Sequence, residues 1–188
     1  VKEVVLIGDS IRMGYEEHVR RELEGVASVW GPEGNCGPSE RIVANLDEWI
    51  VNRRADLFHI NAGLHDLKKA FDADGNHEPL DTYRTNVETI LEAARATGAA
   101  VIWATTTPVN EKNHHDRKGF DRFEADVDRY NAAALAIVRR LDIPVNDLFG
   151  FVMENGKDEM LRPDGVHFVA AAEEKLGKRV AQQLRKYL

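Results

Sequence analysis

Two short segments at opposite ends of the chain carry residue types that could make one reactive centre. Gly8-Asp9-Ser10 lies near the start of the 188 residues, and Asp164-Gly165-Val166-His167 lies near the end. A serine that attacks a carbonyl needs a general base, and that base needs a carboxylate to hold its tautomer and stabilise the imidazolium. Asp164 and His167, three residues apart across a glycine-containing turn, can bring carboxylate and Nδ1 together and leave Nε2 facing outward. Each segment also has a plainer explanation on its own. Asp9 and Ser10 are residue types favoured at helix starts, and Asp164 with His167 could be a helix-start carboxylate beside a surface histidine.

What must position these groups is a set of short apolar runs alternating with longer amphipathic stretches. Glu3–Ile7 reads as a buried strand running into Gly8, Met13–Leu23 as a helix and Val26–Trp30 as a second strand. From Ser39 to Val51, Ile42, Val43, Leu46, Trp49 and Ile50 recur at helical spacing; Ser39 would cap this helix and Pro38 would stop it extending backwards. Leu57–Ile60 is a third strand, Asp81–Ala96 a helix ended by Gly98, and Ala99–Ala104 a fourth strand. A polar stretch, Asn110–Gly119, precedes a helix from Phe120 to about Leu141. A short fifth strand follows at Ile143–Val145, and the last helix runs from about Val169 to Tyr187. Five apolar strands separated by helices imply a mostly parallel sheet covered on both faces. A three-layer α/β/α, flavodoxin-like fold in one domain over 1–188 is the simplest topology, with ligands met beyond the carboxyl ends of the strands.

The composition narrows the function. A net charge of −7 argues against a general grip on nucleic acid, and the doublets Arg53-Arg54 and Lys68-Lys69 sit among acids as solvated faces. No apolar run approaches the ~20 residues needed to span a bilayer. Cys36 is the only cysteine, so no intrachain disulfide ties the fold to an oxidising compartment. The chain begins at Val1 and not Met, so an upstream segment could have been trimmed; a cytoplasmic address is favoured and export stays open.

Taken together, Gly8-Asp9-Ser10 and Asp164-Gly165-Val166-His167 resemble the SGNH (GDSL) hydrolase family. Asn35-Cys36-Gly37 after the second strand, Gly63-Leu64-His65-Asp66 after the third and Thr107-Pro108-Val109 after the fourth extend the resemblance from Ile7 to His167. The resemblance implies a serine esterase in which Ser10 attacks an ester carbonyl, His167 removes its proton and Asp164 orients His167. The oxyanion would meet the backbone N–H groups of Ser10 and Gly37 and one side-chain donor. Where the family has Gly-x-Asn-Asp, this chain has His65 in place of the asparagine. A neutral imidazole can donate through one ring nitrogen, so His65 is expected to be the third donor. The alternatives are a His65 turned toward Asp66 or solvent, or Asn61 donating instead.

Asp9, Arg12 and Asn35 are further candidates for substrate contacts, with a solvated Arg12 and a turn role for Asn35 as the duller explanations. His114-His115 looks like a metal pair on paper, but adjacent residues in a polar loop rarely converge on one ion; no metal or cofactor is expected. Cys36, Trp30, Trp49 and Trp103 read as packing residues. The expected substrate is a small-molecule or carbohydrate ester with a short acyl group such as acetyl. Lipase, thioesterase and acyltransferase activities would use the same triad, and a noncatalytic ligand-binding protein on the same fold is the rival from another class.

Overall fold

In the computed structural model, which describes residues 1–188, the short apolar runs form the middle layer of a three-layer molecule. Strands β1 (Lys2–Ile7), β2 (Ala27–Trp30), β3 (Leu57–Ile60), β5 (Ala100–Ala104) and β7 (Val145–Asn146) make one sheet in the order β2-β1-β3-β5-β7, and all pairings are parallel. Val4–Ile7 of β1 and Leu57, Phe58 and Ile60 of β3 are buried, as expected of strands covered on both faces. On one face α1 (Ser10–Glu22) packs against α8 (Ala170–Leu184). On the other, α3 (Leu80–Ala96) packs against α2 (Ser39–Ala44) and α5 (Glu124–Arg140). Because β1 pairs with β2 on one side and β3 on the other, the crevice of the sheet opens at the carboxyl ends of β1 and β3. The segments carrying Ser10 and His65 leave the sheet there.

Several elements depart from the sequence reading, each for a local reason. Helix α1 starts at Ser10, three residues early, because Asp9 Oδ1 accepts the Ile11 N–H at 2.9 Å and caps it. The stretch from Ser39 to Val51 is not one regular helix. Asn45 donates its amide to Arg41 O and its backbone N–H to Ile42 O, α2 ends there, and the chain resumes as a wider π turn over Asp47–Val51. Ser39 is the first residue of α2 and not its cap; its N–H and hydroxyl both donate to Asp66 Oδ1. The polar stretch after β5 contains a helix, α4 (Glu111–Arg117), capped by Asn110. Phe120–Asp121 is not helical but forms β6, antiparallel to β4 (Lys69–Ala70). Helices α6 (Leu148–Glu154) and α7 (Lys157–Met160) were not anticipated. No helix is long and apolar enough to cross a membrane.

The small β4–β6 pair ties the loop after β3 to the insertion after β5. Beside it, the polar loop that the sequence suggests around His114-His115 is partly internal. His114 is fully buried with Nε2 3.0 Å from Arg122 Nη1, while His115 points out to Asp121 at 2.7 Å, so the two rings diverge.

Asp66 closes the loop after β3. Besides holding Ser39, its backbone carbonyl accepts the Glu78 N–H at 2.9 Å, and its side chain is fully buried. Burial pushes the Asp66 carboxyl up to about 7, against the hydrogen bonds from Ser39 and with Glu78 adding to the rise. The folded state therefore holds a proton more tightly than the unfolded chain. Its contribution to stability is complete at low pH and is lost as pH rises toward 7. Asp66→Asn keeps an acceptor for Ser39 but cannot ionise. Relative to the parent, the variant should gain on the order of 3 kcal/mol between about pH 4 and about pH 8. Thermal unfolding at both pH values checks this; a difference that does not change with pH would contradict it.

Candidate active site

Ser10 stands at the first position of α1, immediately beyond β1, so its N–H has no partner inside the helix. Its Oγ lies 2.9 Å from His167 Nε2. His167 Nδ1 lies 2.6 Å from Asp164 Oδ2. A nitrogen facing a carboxylate carries the proton, which leaves Nε2 as the acceptor for the serine hydroxyl. The two ends of the chain thus meet in one hydrogen-bonded line across 157 residues of sequence.

The loop that carries Asp164 and His167 is built to hold that line. Asp164 Oδ1 accepts the backbone N–H groups of Val166 at 3.1 Å and His167 at 3.0 Å, so one carboxylate fixes both the turn and the ring. Lys118 Nζ adds a cation 3.3 Å from Oδ2. Burial raises the Asp164 carboxyl. The bonds from the His167 ring and from the two backbone N–H groups outweigh it and hold the carboxyl well below the usual carboxylate range. Arg162 N donates to His167 O at 2.7 Å and closes the turn. Gly165 has φ +73°, and a Cβ there would sit 2.4 Å from Asn110 O and 2.8 Å from His114 N. Only glycine lets the turn press onto the start of α4, where Asn110 N–H reaches Gly165 O at 2.8 Å.

The opposite wall comes from the loops after β2 and β3. Asn35 Nδ2 lies 3.2 Å from His65 Nε2, and Asn35 Oδ1 accepts the Gly37 N–H at 2.8 Å. The Gly37 N–H, expected to face the oxyanion, is therefore engaged by a side chain two residues back. His65 is part-exposed and makes no hydrogen bond to Asp66, whose side chain is taken by Ser39. Burial pushes the His65 imidazole down to about 3, with the Arg122 and Lys68 cations adding to it, so the ring is neutral. Asn61 donates to Ala104 O at 2.9 Å and supports the sheet edge instead.

Two of the expected substrate contacts are internal. Asp9 is buried and caps α1; its carboxyl is raised by burial. Arg12 is buried too, and its guanidinium goes to Glu16 and to the carbonyls of Pro32 and Gly34. It pins the loop that presents Asn35 and is not free for a ligand. Cys36 is buried, its thiol raised by burial, and Trp103 and Trp49 are buried as packing residues. Trp30 instead lies under the Arg53 guanidinium at 3.6 Å.

Arg122 is the residue that motif reasoning missed. It is 5% exposed, donates Nε–H to Leu64 O at 2.6 Å and reaches His114 through Nη1. It thereby holds the backbone just before His65. Burial lowers it to about 10 while Asp9 and Asp164 oppose the fall, so it stays cationic at the back of the site. No spacing pattern marks it, and the sequence reading places it inside the helix expected from Phe120.

Ser10, His167 and Asp164 thus stand in line at the carboxyl edge of a parallel α/β sheet. The match to the GDSL-like lipase/acylhydrolase family covers residues 6–175, and the chain belongs to that family; it is a carboxylic ester hydrolase. The fold is shared with solved structures. A lipase/acylhydrolase from Enterococcus faecalis is 22% identical, with 99% of this chain and 96% of that chain covered at a TM-score of 0.83. The acetyl xylan esterase AlAXEase is 14% identical, with 97% and 99% covered at a TM-score of 0.77. An acetylxylan esterase from Geobacillus stearothermophilus is 16% identical, with 97% and 94% covered at a TM-score of 0.76. No curated protein matches the chain.

Gly165 tests the docking of the loop. Gly165→Ala should cost at least about 1–2 kcal/mol for the left-handed backbone alone. By displacing His167 it should also lower kcat roughly a hundredfold. Gly25 has a similar φ of +76° but open space around it, so Gly25→Ala should lose stability with kcat unchanged. Parallel unfolding and steady-state kinetics on the two variants separate backbone strain from loss of alignment.

Proposed function

We propose that this enzyme hydrolyses carboxylic esters of a small acyl group, with O-acetyl groups on carbohydrate as the substrate class, through Ser10, His167 and Asp164. The observation that carries the reading is the unbroken line from Ser10 Oγ through His167 to Asp164, at 2.9 and 2.6 Å. As the Ser10 oxygen bonds to the ester carbonyl carbon, Nε2 of His167 takes its proton. The C=O electrons move onto oxygen as an oxyanion, and Asp164 balances the new imidazolium. Collapse expels the alcohol, which leaves with the proton from His167. Water then attacks the acyl-serine with the same base, releasing the acid and restoring Ser10.

The oxyanion is met by the Ser10 N–H and by the ring N–H of His65, each such donor being worth about 3–4 kcal/mol in the transition state. The Gly37 N–H, bound to Asn35 Oδ1, would join them only through a shared, three-centre bond.

The preference for a short acyl group rests on the openness of the rim. The side chains of His167 and Asp164 are 32% and 21% exposed, so the line of three residues stands at the surface. A long acyl chain gains about 0.8 kcal/mol per methylene only where it can be buried. The groups around the line are polar: Asn35, His65, Lys118 and Asn110. The shared fold with two acetyl xylan esterases is consistent with this reading.

A fluorophosphonate should label Ser10, and His167→Ala should abolish the labelling in folded protein; an adduct elsewhere would sink the triad. Across acetyl to octanoyl esters, kcat/KM should be highest for acetyl, and an octanoyl optimum would overturn the substrate class. A general base must be unprotonated to accept the serine proton, so kcat/KM should fall on acidification, and a kcat/KM that rises on acidification would contradict the assignment of the base. Asp164, held well below the ordinary carboxylate range, stays ionised as its partner.

A further inference from the structure

The hydrogen bonds around Asn35 run in one direction that the chemistry of the groups dictates. A backbone N–H can only donate, so the side-chain atom of Asn35 that faces the Gly37 N–H at 2.8 Å must be its oxygen. The amide nitrogen is then the atom that lies 3.2 Å from His65 Nε2. An amide NH2 has no lone pair to offer, so Nε2 must be the acceptor. A neutral imidazole that accepts through Nε2 carries its single proton on Nδ1. An imidazolium would set a ring N–H against an NH2 group, so the same contact disfavours the cation.

Nδ1 of His65 makes no hydrogen bond within the protein, and the residue is part-exposed at the carboxyl end of β3. Nδ1 is bonded directly to Cγ, as an asparagine amide nitrogen is, so it projects from the backbone to the same depth. Nε2 lies one atom further out and is already engaged. His65 follows β3 and Ser10 follows β1, its neighbour in the sheet, so both loops leave the same carboxyl edge.

We propose that Asn35 is a positioning residue that sets the tautomer of His65, keeping the ring proton on Nδ1 so that this N–H meets the oxyanion. This rests on the reading of His65 as an oxyanion donor. Gly37 acts in the same relay, because its N–H fixes which way the Asn35 amide faces. The Arg12 bonds to the carbonyls of Pro32 and Gly34 anchor the start of that loop, and the Arg122 bond to Leu64 O anchors the histidine's side. Both members of the pair are therefore held from behind.

The tautomer can be read directly from two-bond 1H–15N correlations of the imidazole in uniformly labelled protein at neutral pH. In the unmodified enzyme, His65 Nδ1 should show a protonated, pyrrole-type nitrogen and Nε2 a bare, pyridine-type one; the reverse pattern, or two protonated nitrogens, overturns the proposal. Asn35→Asp keeps the acceptor for Gly37 and the shape of the side chain but presents a carboxylate oxygen to Nε2. At a pH high enough for a neutral ring, the proton should move to Nε2, and kcat should fall roughly ten- to a hundredfold with KM little changed. A proton that stays on Nδ1 in this variant overturns the relay. His65→Ala tests the underlying reading separately: unchanged kcat there removes His65 from the oxyanion site, whatever tautomer the spectra show.

Discussion

The contact between Ser10 Oγ and His167 Nε2 is the constraint to which the rest of the molecule answers, because it joins residues 157 positions apart with a tolerance of tenths of an ångström. Two rigid elements bring the ends together. β1 delivers Ser10 at the sheet edge, and the packing of α8 against α1 brings the C-terminal segment back over the same edge. That packing is close because of Gly177, where a Cβ would fall 2.3 Å from His18 Cβ and 3.1 Å from Tyr15 O. The helices can approach only with hydrogen at that position, and the loop preceding α8 is thereby seated above Ser10. Its final orientation is then set by Gly165 against α4 and by the Asp164 carboxylate against its own backbone.

Behind the reacting line lies a second tier of charge. Arg122 feels the charges of both Asp9 and Asp164, and Asp9 and Arg122 are themselves buried. Arg122 is cationic, Asp164 is firmly anionic, and both His114 and His65 are neutral because burial, with Arg122 adding to it, opposes their protonation. On the proposed mechanism, the proton traffic of a hydrolysis is then confined to His167. A second imidazole that could also take protons near neutrality would compete with the base. Holding His65 down near 3 removes that competition and leaves it a neutral ring with one donor and one acceptor nitrogen.

How much of this could be read from the chain depended on range. The sheet was legible because buried parallel strands are near-continuous apolar runs, as in Glu3–Ile7 and Leu57–Ile60. Ser10, Asp164 and His167 were legible because the chemistry needs those residue types, and the spatial step was supplied by the fold. Arg12 and Asp9 were misjudged for one reason: a charged side chain near a catalytic-looking residue reads the same whether it faces the ligand or braces the loop, and only burial separates the two. Arg122 and His114 were invisible because their partners, Leu64 and each other, are chosen by the β4–β6 pairing, which no periodicity announces over two residues per strand. The break at Asn45 was hidden similarly, since Asn45 competes with the helix through its own side chain while leaving the apolar spacing intact.

On the role proposed for His65, a histidine where the family has an asparagine keeps a side-chain donor at that position. An amide presents a donor in either of two flips and is corrected by its neighbours; an imidazole presents a donor in only one of two tautomers and needs the same correction. The side chain at position 35 can give that correction only if it donates to Nε2, and Asn35 does so because Gly37 holds its oxygen elsewhere. In the proposed relay, an oxyanion donor on this rim is a property of three residues on two loops, and replacing one of them changes the demand placed on the others. In that sense His65 is less tolerant than the residue it stands for: its competence depends on a proton's position, and that position is decided at the neighbouring loop.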